Sequence, residues 1–279
     1  MHDVPTGPTT QWLHWFGQTD RGRIRKNNED SFLALQFDAQ ETHYLGKIGE
    51  ASVGHYDYVF AVSDGMGGEK AGEFASRITV DTIARLLPRS YRQAVTGLAP
   101  GIEDVFTELF DQVHRSLMHY GGSYAECAGM GATLSLCWFT PARMYFGHIG
   151  DSRIYHLPAT GGILQMTHDD THVGWLYRNA KINEREARNH PRRNVLQRAL
   201  GAGHQFVQPQ VGAVDHQPGD LFLLCSDGLV EGLFDAQILD LLRSPNPAAS
   251  ELSIAQRLIQ AAIGGATRDN ITAVVIEAR

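Results

Sequence analysis

Four short apolar runs in this chain end or begin at an aspartate, and that pattern restricts the fold more than any other feature. The local strings are YVFAVSDGMGG around Asp64, MYFGHIGDSR around Asp151, LFLLCSDGL around Asp227 and TRDNITAVVI around Asp269. Apolar runs of this length, bounded by Gly, Asp and Asn, read as buried strands. Glycine adjoins three of the four aspartates, where it lets backbone approach a ligand closely. Four strand rims, each carrying a carboxylate, predict a sheet structure with one acidic cluster at its edge. Such a cluster needs neutralising charge, and hard divalent cations with oxygen ligands, Mg2+ or Mn2+, fit it.

Composition sets the outer bounds. The chain has 279 residues, 43% of them hydrophobic, enough for one large domain or two small ones. A net charge of -7 argues against nucleic-acid binding, which needs a basic face. Phosphate substrates remain compatible, because bound cations invert the local field. Cys127, Cys137 and Cys225 are scattered and odd in number, with no disulfide framework or zinc-ribbon spacing, which fits a reducing cytoplasm. The opening MHDVPTGPTTQWLHWF lacks the basic and apolar regions of a signal peptide. No run approaches the ~18 apolar residues of a membrane span, so no membrane association is expected.

Along the chain, residues 1–10 read as a flexible Pro/Thr/Gly-rich terminus and 11–279 as a single catalytic domain. Strands are predicted at 11–18, 31–37, 58–63, 132–139, 144–149, 154–157, 221–226 and 271–277, with 38–57 a loop or hairpin. Phe74, Ile78, Ile83 and Leu87 mark one face of a helix ending at Pro88. Ile102, Val105, Phe106, Leu109, Phe110, Val113 and Leu117 give a second helix a clear 3.6 period. Residues 167–200 are polar and irregular, with one short helix announced by a capping box, Asn183 with Glu186. Later helices are predicted over 235–243 and 250–263, separated by the loop SPNPAAS. Strands and helices come in blocks, which favours an α+β, sheet-on-sheet core with outer helices over strict βαβ alternation.

The strings RIRKNNED, VSDGMGGEKAGEFAS, GHIGDSRIY, NHPRRNVLQRALG, LCSDGL and TRDNITAVVI occur in this order. Together they resemble the bacterial branch of the metal-dependent protein phosphatases, the protein phosphatase 2C-like family, over about residues 11–277. The resemblance implies a four-layer αββα sandwich, two mostly antiparallel sheets flanked by helices, with a metal centre at one end. It implies hydrolysis of phosphoserine and phosphothreonine in phosphorylated proteins by a water activated between two ions, Mn2+ or Mg2+, opposing a bacterial Ser/Thr kinase. A monomer is expected. A catalytically silent pseudophosphatase that only binds partners, and a regulatory phosphatase with one dedicated client, are the alternatives.

Site residues carry over position by position. Asp64 would bridge the two ions and Gly65 would add its carbonyl oxygen, the bland alternative being an Asp-Gly turn. Asp227 and Asp269 would complete the first ion's shell, although Asp-Asn at 269–270 is also a good turn. Asp151 would hold a third ion with Asp227, unless it merely pairs with Arg153. Asp30, and after it Glu29, would act through metal-bound water, since adjacent strand residues face opposite ways. Arg25 stands where the family grips phosphate, a task suited to the guanidinium fork, but RGRIRK is also a plain basic loop. Met66 replaces the histidine of eukaryotic members and cannot donate a proton. His148 reads as structural. HDDTH at 168–172 echoes a zinc motif that would need a helix, and Asp170 occupies the family's histidine slot. Residues 167–200 would form a flap beside the site, where substrate choice is made.

Overall fold

The computed structural model describes residues 11–38, 40–95, 101–141, 143–203, 207–243, 251–265 and 267–279. The N-terminal decapeptide and SPNPAAS (244–250) lie outside the described residues. In chain order the strands are β1 (Gln11–Asp20), β2 (Asp30–Phe37), β3 (Thr42–Tyr44), β4 (Ile48–Val53), β5 (Asp57–Met66), β6 (Gly131–Ala132), β7 (Leu134–Phe139), β8 (Arg143–Ile149), β9 (Arg153–Leu157), β10 (Leu164–Gln165), β11 (Leu200–Gly201), β12 (Gln210–Asp215), β13 (Leu221–Cys225) and β14 (Ile271–Ala278). The helices are α1 (Glu69–Val95), α2 (Ile102–Ser123), α3 (His172–Arg178), α4 (Glu184–Arg188), α5 (Asp227–Gly232), α6 (Asp235–Arg243) and α7 (Ile254–Gly264).

Two sheets form. One runs β10-β9-β13-β14-β1-β4, and the other runs β6-β5-β7-β8-β12 with β2 and β3 added at the β5 side and β11 on β6. Every described pairing of these strands is antiparallel. The alternation of side chains along a strand divides the core into three layers. On β5, Val59 and Ala61 face α1 and α2, while Phe60 and Val62 face the other sheet. On β14, Val274 and Ile276 face that inter-sheet core, while Ala273 and Val275 pack with Leu229, Ile238 and Leu258 of the outer helices. Strands covered on both faces read as continuous apolar runs, which is why β5, β13 and β14 stand out in the sequence. The result is the expected αββα sandwich.

Four local expectations are corrected. Helix α1 does not stop at Pro88 but carries it inside and runs to Val95. Ile83, Ala84 and Leu87, all buried, anchor the turns that lead into the proline. Phe74 is 51% exposed, not part of the buried face. That face presents Ala71 and Ala75 instead, because Gly72 brings α1 against the backbone of Gly65, where a β-carbon on Gly65 would overlap the Gly72 carbonyl. Residues 38–57 contain two strands in different sheets, β3 on β2 and β4 on β1. Residues 167–200 carry two short helices, α3 and α4, the second with the Asn183–Glu186 capping box in place.

Phe60 is fully buried and makes ring contacts with Trp15 at 5.8 Å and Phe139 at 5.9 Å. Phe60→Ala is therefore expected to cost about 3–5 kcal/mol in urea unfolding. Phe74→Ala should stay within about 0.5 kcal/mol of the parent, as exposed positions do. Equal losses at the two positions would contradict the observed face of α1.

Candidate metal centre

Each aspartate reaches the same edge from a different element. Asp30 and Asp64 are direct cross-strand neighbours on β2 and β5. Asp227 opens α5, two residues beyond the end of β13, and Asp269 lies two residues before β14. Asp151 follows β8 through Gly150, whose φ of +111° and contact with Thr133 leave no room for a side chain.

Burial and mutual repulsion dominate the electrostatics. Burial, then Asp30, Asp227, Asp151 and Asp269, pushes Asp64 well above the usual carboxylate range. Burial, then Asp151, Asp269 and Asp30, does the same to Asp227. Burial raises Asp30 to about 6 against two hydroxyl donors, and raises Asp151 to about 7 with Asp169 adding to it. The five carboxylates thus sense one another as a single cluster.

Short polar residues fix the cluster's frame. Ser226 and Thr272 hydroxyls donate to Asp30 Oδ2 at 2.6 and 2.7 Å. Asn270 accepts the Glu29 N–H at 2.8 Å and donates to the carbonyls of Arg21 and Asn27, both at 2.9 Å. It thereby bolts the loop before β2 to the loop that carries Asp269. The Gly65 N–H donates to the Glu29 carbonyl at 3.1 Å, and the Asp64 N–H to Thr133 Oγ1 at 3.0 Å. Arg25 reaches this edge as well, donating from Nη2 to Asp269 Oδ2 at 2.6 Å while half its side chain stays in solvent.

Two carboxylate oxygens test the fit to a cation. Asp30 Oδ1 and Asp227 Oδ1 are buried and accept no hydrogen bond. An orphaned buried anion oxygen is costly unless a cation meets it. Among the described residues, no three His, Cys, Asp or Glu side chains converge into a ready ligand set. The fit therefore rests on these oxygens, on the all-oxygen donor set and on the shared repulsion, and all three favour a hard divalent ion.

Several bland alternatives fall away. Arg153 is engaged by Asp169, to which it donates at 2.9 and 2.7 Å, and is not the specific partner of Asp151. His172 starts α3 while His168 lies outside it, so HDDTH is not one helical face. His148 is buried between Ser135 Oγ at 2.9 Å and the carbonyls of Gly150 and His168, at 3.1 and 3.2 Å, a structural placement. Residues missed in the sequence are Asn270, Ser226, Thr272 and Glu231. Glu231 accepts from Arg193 at 2.7 Å, from Thr267 Oγ1 at 3.0 Å and from the Arg268 N–H at 2.9 Å. Only the capping roles of Ser, Thr and Asn beside strand ends hinted at the first three.

A cavity of about 470 Å³ opens from Asp151 and Asp227 and runs under residues 169–194, lined also by Arg153, Tyr177, Arg188 and Phe234. No described helix is long and apolar enough to cross a membrane.

An αββα sandwich with an acidic centre where its two sheets meet defines the class of protein. Residues 48–258 match the family model for protein phosphatase 2C, and the chain belongs to that family. It is 35% identical to the serine/threonine protein phosphatase PstP of Mycobacterium tuberculosis over 95% of its own length and 45% of that protein, so it spans about half of that relative. It is 31% identical to the serine/threonine phosphatase stp of Listeria innocua, over 95% of this chain and 96% of that one. The catalytic domain of PstP in complex with two manganese ions superposes with a TM-score of 0.73 at 31% identity, covering 96% of this chain and 99% of that one.

The cluster predicts an unusual pH response. An acid whose pKa is raised by folding holds its proton more tightly in the native state. Above the unfolded value near ~4 and up to folded values of about 6 for Asp30 and about 7 for Asp151, the native state carries the extra protons. Stability therefore falls as pH rises through this window. In EDTA, the melting temperature is expected to drop by roughly 5–10 °C between about pH 5 and 8. Asp57, raised to about 6 by burial at the far end of β5, adds to this slope, so the decisive comparison is with Asp64→Asn or added Mn2+. Both should flatten the profile. A slope unchanged by either would remove the cluster as its source.

Proposed function

We propose that this chain is a metal-dependent protein serine/threonine phosphatase. The observation that carries the reading is the shared acidic edge of the two sheets, with orphaned oxygens on Asp30 and Asp227. Asp64, the Gly65 carbonyl, Asp227 and Asp269 would hold two ions, Mn2+ or Mg2+. Asp151 would hold a third with Asp227, and Asp30 and Glu29 stand behind them. When bound, the ions supply Lewis acidity toward a phosphoryl oxygen and lower the pKa of a water toward neutrality. The manganese pair in the PstP structure supports this choice of metal.

The chain's own residues set the rest. Asp30 is held rigid by Ser226 and Thr272, so its free oxygen keeps one direction. Arg25, half in solvent and bound through one nitrogen, retains donors for phosphoryl oxygens. Met66 offers no proton to the leaving alkoxide. Residues 167–200 border the cavity as a flap and select among phosphorylated proteins. The chain keeps Asp64, Asp151, Asp227 and Asp269, which favours an active enzyme over a silent pseudophosphatase. The relatives' names support phosphoserine and phosphothreonine substrates. A monomer that opposes a Ser/Thr kinase in a bacterial cytoplasm is our own assignment.

Turnover of p-nitrophenyl phosphate should require Mn2+ or Mg2+ and stop in EDTA. Asp64→Ala and Asp227→Ala should each lose at least about 100-fold, the upper end of what metal-supporting positions cost. Full activity in chelator would sink the proposal.

Arg25→Ala should raise KM for a phosphopeptide by about 10–100-fold, the worth of one charge-assisted contact, with Mn2+ binding by calorimetry retained. A loss in Arg23→Ala with none in Arg25→Ala would move the role to the neighbour.

A further inference from the structure

Asp170 stands in the position where the family's pattern has histidine, and every polar group it owns is engaged. It is 7% exposed. Its N–H donates to the Gly150 carbonyl at 2.7 Å, and its Oδ2 accepts the Gly150 N–H at 3.0 Å. One residue thus holds both backbone groups of the glycine that precedes Asp151. On its other side, the Asp170 carbonyl accepts the Gln197 N–H at 2.7 Å. Its Oδ1 accepts from Arg198 Nε at 3.0 Å and also from Arg198 Nη2. A bridge between Thr171 and Leu196 continues the contact.

We infer that Asp170 is a positioning residue, a staple that ties both roots of the 167–200 segment to the turn carrying Asp151. The geometry calls for an acid here. The Gly150 amide needs an acceptor, and the half-exposed guanidinium of Arg198 is met by the buried Asp170 carboxylate, which would be costly to leave unpaired. A neutral imidazole has a single acceptor nitrogen and no negative charge, so a histidine could not meet both. Residues between the roots, including α3 and α4, close on this point, so their motion is transmitted to Gly150 and thence to Asp151. His148 provides a parallel tie through the carbonyls of Gly150 and His168, both acceptors, so its Nε2 carries the proton. What Asp151 gains from being held rests on the phosphatase reading. The staple itself does not.

Two variants separate the two halves of the staple. Asp170→Asn keeps an oxygen for the Gly150 amide and removes the charge facing Arg198. Asp170→Ala removes both. Hydrogen exchange is read on the full chain, with His148 and all proposed ligands intact. In Asp170→Ala, the Gly150 amide should exchange at least about 10-fold faster, the equivalent of ~1.4 kcal/mol. The 172–198 amides should accelerate with it. In Asp170→Asn, Gly150 should stay protected while 196–198 accelerate. Calorimetric titration with Mn2+ should show the weakest binding event weakened in the alanine variant and largely kept in the asparagine variant. Should Asp170→Ala fail to fold, Arg198→Gln replaces it, with acceleration expected at 196–198, as in the asparagine variant, and protection retained at Gly150. Exchange at Gly150 and across 172–198 identical to the parent in every folded variant, with only a lower Tm, would overturn the inference and leave Asp170 a packing residue. A parent chain without Mn2+-dependent turnover would overturn the phosphatase reading instead, a result distinct from any exchange outcome.

Discussion

The constraint on which the rest of the structure depends is repulsion among Asp30, Asp64, Asp151, Asp227 and Asp269. Asp30 and Asp64 come from one sheet, Asp227 and Asp269 flank strands of the other, and Asp151 sits in the turn from β8 to β9 that joins them. The charges meet only when the sheets stack, so the inter-sheet core must hold together what electrostatics drives apart. Phe60, Phe139 and Phe222 are fully buried there. Each contributes about 1.5–3 kcal/mol by leaving water, a scale that offsets the several kcal/mol each buried ion costs. The site is thus placed where the apolar layer is strong.

Holding charges together also requires that they not drift. The chain does this with short polar side chains: Ser226 and Thr272 as donors to Asp30, and Asn270 as acceptor of the Glu29 N–H, each beside a strand end. Glycines serve the same end by backbone contact. Gly65 against Gly72 fixes the distance between β5 and the start of α1. Gly22, at φ +72° and pressed on the Asp269 carbonyl, packs the loop containing Arg25 against the loop before β14.

Much of this was legible from the chain alone, for a physical reason. Strands buried on both faces are apolar throughout, and a carboxylate at their end is conspicuous, so β5, β8, β13 and β14 with their aspartates could be read directly. Helix α2 was legible because one face is buried and the other wet. What could not be read depends on partners far along the chain. β12 has mixed exposure along an edge and no clean period. Pro88 signals a stop that helix α1 runs through. Asn270 looks like half of a turn dipeptide until its three partners, between residues 21 and 29, come within reach. Asp170 departs from the family pattern, which flags the position but says nothing of Gly150 or Arg198.

The two anchors of the 167–200 segment fall on opposite halves of the acidic centre. At its roots, Asp170 grips the turn before Asp151, at the end of β8. Nearer its end, Arg188 donates to the carbonyls of Glu231 and Leu233 at 2.7 Å each and lies over the Phe234 ring at 3.9 Å. Arg193 pairs with the Glu231 side chain, which in turn holds Thr267 and the Arg268 amide beside Asp269. Charge-assisted contacts of this kind are directional and do not stretch far before breaking. The segment therefore cannot shift as a body without loading both the Asp151 turn and the Asp269 loop. The cavity beneath it and the carboxylates at its mouth form one mechanical unit, although their residues lie on separate sheets.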